Sequence, residues 1–244
     1  MYAHRSALGP VDLAFTDRYG GVSAAPFDSL NLALTGADDP EAIVENQRRV
    51  IADFAPGADL VGMHQVHGAD VTVVGDGASG DLPPCDGLVT TRPRTVLMAR
   101  AADCVPVLLA DPDARVIGAV HSGRPGLATG VIPAAVATMR AQGARTITAW
   151  VGPHVCGSCY EVPEEMQAEV GALEPAAVAT TSWGTPALDI GAGVRAQLER
   201  DDIHVVDVSR CTRESPDLYS YRRDGRSAGR LAGLIRLAPE VVPG

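Results

Sequence analysis

The chain has 244 residues, of which 46% are hydrophobic and only 4% aromatic, and its formal net charge is -10. This acidic balance argues against a nucleic-acid partner, because a phosphate backbone attracts clustered Lys and Arg, although a local basic pocket can still hold a small anion. Neither a signal peptide nor a membrane span is indicated, so we expect a cytoplasmic protein without a membrane partner, whose five cysteines are reduced thiols or metal ligands.

Short runs typical of β-strands alternate irregularly with segments of helical periodicity. The strand-like runs are VDLAFT (11–16), DVTVV (70–74), TVLMA (95–99), VPVLLA (105–110), VIGAV (116–120), TITAWV (146–151) and IHVVDV (203–208). Helical patterns cover 38–54, 133–143, 163–173 and 189–200; the first has an Asp cap and Pro40 in its first turn. This irregular mixture predicts an α+β fold in which helices cover sheets.

Two further segments are predicted to be connections. The stretch VGDGASGDLPPCDG (74–87) is rich in Gly and Pro and predicts a loop, and Asp224-Gly225 between β-like flanks predicts a hairpin turn. No segment has the composition of a linker, so we expect one domain over residues 1–244.

Three stretches each place a potential metal ligand at the end of a strand-like run. His67 precedes a strand, Cys104 opens one and His121 closes one. Two imidazoles and a thiolate suit zinc, and three protein ligands leave the fourth tetrahedral position to a water whose pKa falls to about 7. The alternative is three unrelated residues, a buried thiol and two histidines.

Asp103 stands beside Cys104, which raises the question of an acid–thiol pair. If both residues are extended, their side chains point to opposite faces of a sheet. Asp103 is then expected to cap local backbone rather than to act as a base for Cys104.

The chain resembles the YfiH or laccase-domain family, whose members are also called peptidoglycan editing factors or polyphenol oxidase-like proteins. The resemblance is carried, in order, by GGVSAAPFDSLNLAL, DDPEAIVENQRR, QVHGADV, CDGLVTTRP, ADCVPVLLAD, GAVHSG, CYEV, DI and DLYSYRRDGRSAGR. It implies a four-layer α/β/β/α sandwich of mixed sheets and a zinc site formed by His67, Cys104 and His121. It also implies purine nucleoside phosphorylase activity, with deamination of adenosine and phosphorolysis of methylthioadenosine.

One departure from the family affects the expected substrate site. Members resemble HAGWRG after the second histidine, whereas this chain reads HSGRPG, with Arg124 at the aromatic position and Pro125 at the usual Arg position. Arg124 could replace that Arg from one residue earlier, but Pro125 changes the local backbone.

A guanidinium fork could hold the phosphate, and Arg48 and Arg222 are the candidates. Ser23, Asn31 and Asp86 lie in loop-like blocks that match the family and are candidates for binding the substrate, a purine nucleoside together with phosphate. Each of these five residues has a structural alternative, as a solvated or buried polar side chain.

Other functions remain open at this point. A peptidoglycan-precursor editing hydrolase would use the same zinc or the Cys104 thiolate against an amide, and a binding protein without turnover would fit the altered HSGRPG loop. Multicopper laccase chemistry is rejected, because the six histidines cannot fill a blue-copper centre and a trinuclear cluster. A single copper ion could still substitute for zinc.

Several residues that look functional are interpreted as structural. Cys156-x-x-Cys159 lacks a second CxxC and is expected to be a pair of structural thiols. His64 is a weak candidate for a spare ligand or for a partner of a metal ligand, and Cys85 and Cys211 have no predicted partner. The sequence does not predict the oligomeric state.

Overall fold

The computed structural model describes residues 1–34 and 36–238. The strands in chain order are β1 (Tyr2–Leu8), β2 (Val11–Thr16), β3 (Asp59–His64), β4 (Val71–Val73), β5 (Gly80–Pro84), β6 (Gly87–Thr90), β7 (Thr95–Ala101), β8 (Val105–Asp111), β9 (Val116–Ser122), β10 (Thr148–Val151), β11 (Val178–Thr180), β12 (Pro186–Leu188), β13 (His204–Asp207) and β14 (Leu231–Leu237). The helices are α1 (Pro40–Phe54), α2 (Arg124–Thr129), α3 (Val131–Ala141), α4 (Glu164–Leu173), α5 (Ile190–Arg200) and α6 (Tyr221–Asp224), and 3-10 turns cover Pro175–Ala177 and Gly225–Ser227.

Two six-stranded mixed sheets form the centre of the molecule. Sheet I has the order β1-β2-β14-β7-β3-β5, and sheet II has the order β13-β10-β8-β9-β6-β4. Their facing surfaces share one apolar cluster, in which Leu13 and Leu97 of sheet I pack with Leu108 and Ala119 of sheet II. Because both sheets contribute to this cluster, it favours the predicted single domain.

Helices cover the outer face of each sheet. Val50 and Phe54 of α1 pack against sheet I, where Asp39 caps the helix through its bond to the Glu41 amide. Helices α3 and α5 pack against sheet II in a separate apolar cluster. The arrangement is the predicted α+β fold in four layers, which is thereby confirmed. None of the helices among the described residues has the length and apolarity required to cross a bilayer.

The chain passes from sheet I to sheet II three times along one stretch. It does so between β3 and β4, between β5 and β6, and between β7 and β8. His67, Asp86 and Cys104 each lie in one of these crossings. The fold therefore gathers residues that are distant in sequence at places where the chain changes sheet.

The predicted strands and helices match the structure with shifts of a few residues at their ends, but two connections were wrong. The segment 74–87 contains β5, whose prolines are tolerated because β5 is the edge strand of sheet I. Asp224-Gly225 is not a hairpin turn: Ser220 caps α6 by accepting from the Arg223 amide, and the helix ends at Gly225 with φ +58°.

Candidate metal centre

The side chains of His67, Cys104 and His121 converge. One ligand atom from each lies within 4.8 Å of the other two, and Cys104 Sγ is 3.7 Å from His67 Nε2. The two imidazole rings are nearly perpendicular, with centroids 4.8 Å apart. The convergence that the sequence predicted is thus present in the fold.

His67 reaches this position through a constrained turn. Its φ is +61°, a conformation that costs a non-glycine residue on the order of 1 kcal/mol and that recurs at functional sites. The Asp86 carboxylate compensates by accepting hydrogen bonds from the amides of Val66, His67 and Gly68, at 3.1, 3.1 and 2.7 Å. One buried carboxylate therefore fixes the turn that carries the first ligand.

Asp86 also orients the third ligand. Its Oδ1 lies 2.8 Å from Nδ1 of His121, and both side chains are buried. With Nδ1 held by the carboxylate, Nε2 of His121 is left for a metal, as is usual for metal-binding histidines. Asp86 was predicted to bind substrate; the structure places it behind the ligands, where it contacts His121 and backbone amides.

Cys104 immediately precedes β8, but Asp103 before it has φ +88°, so the two residues are not an extended pair. The expectation that Asp103 caps local backbone was wrong. Its carboxylate accepts instead from the Thr212 hydroxyl at 2.6 Å and from the Arg222 amide at 2.5 Å. Asp103 therefore ties the C-terminal segment to the crossing that carries Cys104.

The centre favours an ionised thiol beside a protonated imidazole when no metal is bound. Burial opposes ionisation of Cys104, but the charge and hydrogen bonds of His121, with a hydrogen bond from His67, lower the Cys104 pKa to about 6. Burial likewise disfavours a charged His121, yet the thiolate and Asp86 raise the His121 pKa to about 9. Between these values the pair carries opposite charges, and the thiolate is ready to bind a cation.

Metal-free protein should reveal this ionisation through its alkylation rate. We expect the reaction of Cys104 with iodoacetamide to increase through about pH 6, because only the thiolate reacts. Peptide mass spectrometry after short pulses at pH 5 to 9 measures the rate. Cys85 is the internal control, since burial raises its pKa; a Cys104 inflection above pH 8 would contradict the expectation.

The donor set fits a thiophilic divalent cation. One thiolate and two imidazoles are ligands that zinc accepts in sites with an open fourth position, and copper binds the same donor types. His64, at the exposed end of β3, lies on the adjoining cavity but outside this ligand group.

Gly123 leaves the space in which the ligands meet. A Cβ at this position would lie 2.5 Å from His67 Cδ2 and 3.2 Å from Cys104 Sγ. We expect Gly123→Ala to displace the His67 ring and to weaken zinc binding about tenfold or more, the scale seen when ligand orientation is disturbed. Competition with a chromogenic chelator measures the affinity. Gly75→Ala is the matched control, since its Cβ would meet nothing within 4 Å; equal affinities in both variants would refute the steric argument.

A cavity of about 660 Å³ opens in front of the ligands, within the range that small-molecule sites occupy. Arg124, Arg222 and Arg230 are among its lining residues. The Arg222 guanidinium lies 4.4 Å from the Tyr160 ring centroid, and Arg230 donates to the carbonyls of Ala228 and Gly229. Burial lowers the Arg230 pKa, an effect opposed by nearby Cys104 and Asp103.

Other predicted substrate residues do not line this cavity. Arg48 lies on the exposed face of α1, where its guanidinium is paired with Glu45. Asn31 contacts a residue that lines the cavity, because its Oδ1 accepts from the Arg230 amide at 2.8 Å. Ser23 is linked to Asn31 through Asp38, whose carboxylate accepts hydrogen bonds from both side chains.

Sequence reasoning missed Arg230 and Tyr160 as parts of the cavity. Both stand in blocks that match the family, but no local pattern separates them from surface residues. It also missed the surroundings of the Cys-x-x-Cys pair: Cys156 and Cys159 lie beside Glu214 and Cys211, for which the sequence had suggested no partner.

The comparisons with known proteins agree with this architecture. A family model described as multi-copper polyphenol oxidoreductase laccase matches residues 12–238. Purine nucleoside phosphorylase SCO2081 of Streptomyces coelicolor is 54% identical over 97% of this chain and 100% of the relative. Purine nucleoside phosphorylase YfiH of Shigella flexneri is 34% identical over 90% of this chain and 91% of its own.

Solved structures extend the match to three dimensions. The crystal structure of YlmD from Geobacillus stearothermophilus has a TM-score of 0.87 and 30% identity, covering 97% of this chain and 98% of that one. Protein NMB0706 of Neisseria meningitidis has a TM-score of 0.85 and 29% identity, covering 98% of this chain and 99% of that one. Sequence, fold and ligand geometry agree, and the chain belongs to the YfiH-like laccase-domain family.

Proposed function

We propose that this chain is a zinc-dependent purine nucleoside phosphorylase that acts on adenosine, inosine, guanosine and methylthioadenosine and also deaminates adenosine. The observation that carries the proposal is the convergence of His67, Cys104 and His121 on a cavity whose lining residues also include Arg124, Arg222 and Arg230. The fourth lining arginine, Arg100, is paired with Asp81. The relatives named purine nucleoside phosphorylase, matched along nearly their whole length, support the same chemistry.

The residues that would hold the zinc are His67, Cys104 and His121. When bound, zinc supplies a Lewis acid that polarises an oxygen or nitrogen of the substrate and lowers the pKa of water. Asp86 keeps His121 in the tautomer and orientation that present Nε2.

Phosphorolysis breaks the glycosidic bond between ribose and base while a phosphate oxygen bonds to the ribosyl carbon. The phosphate must be held next to a carbon that becomes cationic, and the departing base must receive a proton. Arg124, Arg222 and Arg230, all among the lining residues, would hold the phosphate, since guanidinium forks match its oxygens. Pro125 lies in the first turn of α2, where proline is tolerated, so HSGRPG still brings a guanidinium to the cavity.

Product analysis tests the activity directly. Purified protein is incubated with adenosine, inosine, guanosine or methylthioadenosine, with and without phosphate, and free base, sugar phosphate and ammonia are quantified. We expect phosphate-dependent release of base, and ammonia from adenosine without phosphate. Product levels no higher than those of Cys104→Ala would reject the proposal.

Arginine variants test the phosphate assignment. Loss of a charged hydrogen bond costs about 1.5–3 kcal/mol, so Arg124→Gln or Arg222→Gln should raise the KM for phosphate by roughly 10- to 100-fold. Arg48→Gln is the matched control, because this guanidinium is paired with Glu45 on the surface. Equal KM values in all three variants would remove the assignment.

A second candidate follows from the thiol itself. Cys104 is half-buried at the cavity with His67 Nε2 3.7 Å from its sulfur, so it can attack an amide carbon of a peptidoglycan precursor. The amine would leave with a proton from an imidazole, and water would hydrolyse the thioester. Amide cleavage that persists after exhaustive chelation would favour this function over the zinc enzyme.

Multicopper oxidation receives no support from the ligands. Of the six histidines, two belong to the ligand group at the cavity, and the other ligand group among the described residues contains no imidazole. Binding without turnover was suggested by the altered loop, and Arg124 at the cavity weakens that argument. We propose zinc as the resident ion and copper only as its substitute.

A further inference from the structure

A second cluster of metal-ligating side chains lies outside the cavity. Cys156, Cys159, Cys211 and Glu214 bring one ligand atom each to within 4.8 Å of the others. The three cysteines are free thiols, and none of the four residues is part of the cavity lining. This thiol-carboxylate cluster has no task in the proposed reaction.

The backbone presents the four ligands from two tight turns. In the first, the amides of Cys159 and Tyr160 both donate to the Cys156 carbonyl at 3.0 Å. In the second, the Ser215 amide donates to the Cys211 carbonyl at 3.1 Å. Each turn thus offers ligands at positions i and i+3, the Cys-x-x-Cys spacing of structural zinc sites. The second turn uses Cys-x-x-Glu instead, a pattern that sequence reasoning did not detect.

Backbone pairing aligns these two turns. The His154 amide donates to the Arg210 carbonyl at 3.2 Å, and the Thr212 amide donates to the His154 carbonyl at 3.0 Å. Arg223 holds the second turn from outside, donating to the carbonyls of Thr212 and Ser215 at 3.1 and 3.0 Å. The ligands are therefore brought together by contacts independent of any ion, as a preorganised site requires.

Polar contacts within the thiol-carboxylate cluster involve the ligand atoms themselves. The Cys156 amide points at Cys211 Sγ, 3.5 Å away, and Cys159 Sγ lies 3.4 Å from Glu214 Oε1. Cys159 is only 5% exposed. The ligand atoms are thus held close together by the fold.

We propose that the thiol-carboxylate cluster is a structural zinc site, in which three thiolates and the Glu214 carboxylate occupy all four tetrahedral positions. Binding forms three Zn–S bonds and one Zn–O bond, and the three thiol protons pass to solvent. No position is left for substrate, so the ion is not catalytic.

The proposed zinc site would stabilise one wall of the cavity. The neighbouring Val155 lines the cavity, and its amide donates to the Asp103 carbonyl at 3.1 Å. Thr212, which follows Cys211, donates its hydroxyl to the Asp103 carboxylate. A zinc ion at the cluster would join both segments that hold Asp103, one residue before Cys104.

Zinc stoichiometry by native mass spectrometry tests the proposal. We expect two zinc ions per chain in the parent, one in Cys211→Ser, one in Cys104→Ser and none in the double variant. Cys85→Ala, which removes a buried thiol outside both groups, should keep two. A count in Cys211→Ser equal to that of the parent overturns the second site. If Cys211→Ser lost a zinc ion and Cys104→Ser did not, only the zinc site at the cavity would be rejected.

Cobalt loading of Cys104→Ser gives a readout that does not depend on folding of the Cys211 variant. Sulfur-to-cobalt charge transfer grows with the number of bound thiolates, so this variant should show the absorption of a three-thiolate site. Thiol titration of the denatured parent, without reductant, should find all five cysteines free. Three free thiols would indicate a disulfide within the thiol-carboxylate cluster and would overturn the proposal, as would weak cobalt absorption.

Discussion

Replacing Cys104 with serine is expected to lower kcat/KM for purine nucleosides by about 10³-fold and to remove one zinc ion per chain. A serine hydroxyl is a poor zinc ligand, and loss of the ion removes several kcal/mol of charge stabilisation in the transition state. Steady-state kinetics with phosphate in excess, paired with metal analysis of the same samples, measures both effects.

Cys85→Ala is the control for loss of a thiol that belongs to neither ligand group. It should retain zinc at His67, Cys104 and His121 and most of its activity. Addition of zinc to chelated parent protein should restore turnover, whereas zinc added to Cys104→Ser should not. Nucleoside turnover in Cys104→Ser at the parent rate, with the zinc absent, would show that the ion has no part in catalysis.

Asp86→Asn is expected to weaken zinc binding at the cavity by about 10- to 100-fold, although Asp86 does not contact the ion. The variant loses the negative charge that holds Nδ1 of His121. It also disturbs the hydrogen bonds that the Asp86 carboxylate accepts from the amides of Val66, His67 and Gly68. The free energy of unfolding should fall by roughly 1–3 kcal/mol, because buried donors are left poorly paired. Chelator competition and urea denaturation give the two values.

The stability effect of Asp86→Asn should depend on pH in a defined direction. Burial opposes ionisation of Asp86, but the hydrogen bonds from His121 and the backbone outweigh it and lower the carboxyl pKa. The carboxylate therefore stabilises the fold above the ordinary Asp pKa, and this contribution is lost as the pH falls through the lower native value. The parent and Asp86→Asn should converge in stability under acid.

Asp111→Asn is the variant that separates the effect of Asp86→Asn on zinc affinity from its effect on stability. Asp111 is another buried carboxylate that accepts backbone amides, from Asp113, Ala114, Arg145 and Thr146, but it lies outside the metal centre. We expect it to reduce stability without changing zinc affinity. If Asp111→Asn weakened zinc binding as much as Asp86→Asn, the orienting role of Asp86 would be refuted.

Many of the strands and helices were predictable because their signals are local, whereas the four-layer arrangement was expected only from the family resemblance. Strand β2 was predicted at its observed ends, and α1 was placed by its cap, its proline and its apolar spacing. Where two structures share one local signal, the prediction failed. Gly225 with positive φ ends a short helix as readily as it forms a hairpin, and the prolines of β5 hid an edge strand.

The candidate site was predictable only in part. His67, Cys104 and His121 could be named because strand ends and the family blocks both point to them. The positive φ of Asp103 and its bonds to Thr212 and Arg222 join residues more than a hundred positions apart, a relation that no local pattern carries. The grouping of Cys211 with Cys156 and Cys159 is hidden for the same reason.

The three passages between the sheets have a consequence for how the molecule opens. His67 and Cys104 each lie where the chain leaves one layer for the other, so an ion bound between them bridges two of these crossings. Separating the two sheets at these crossings would then require breaking the bonds between the ion and its ligands. Loss of the ion should therefore lower the local stability of the two crossings before that of the sheet interior. Amide hydrogen exchange in residues 64–71 and 101–105 is expected to accelerate on chelation, while the buried middle of β8 stays protected.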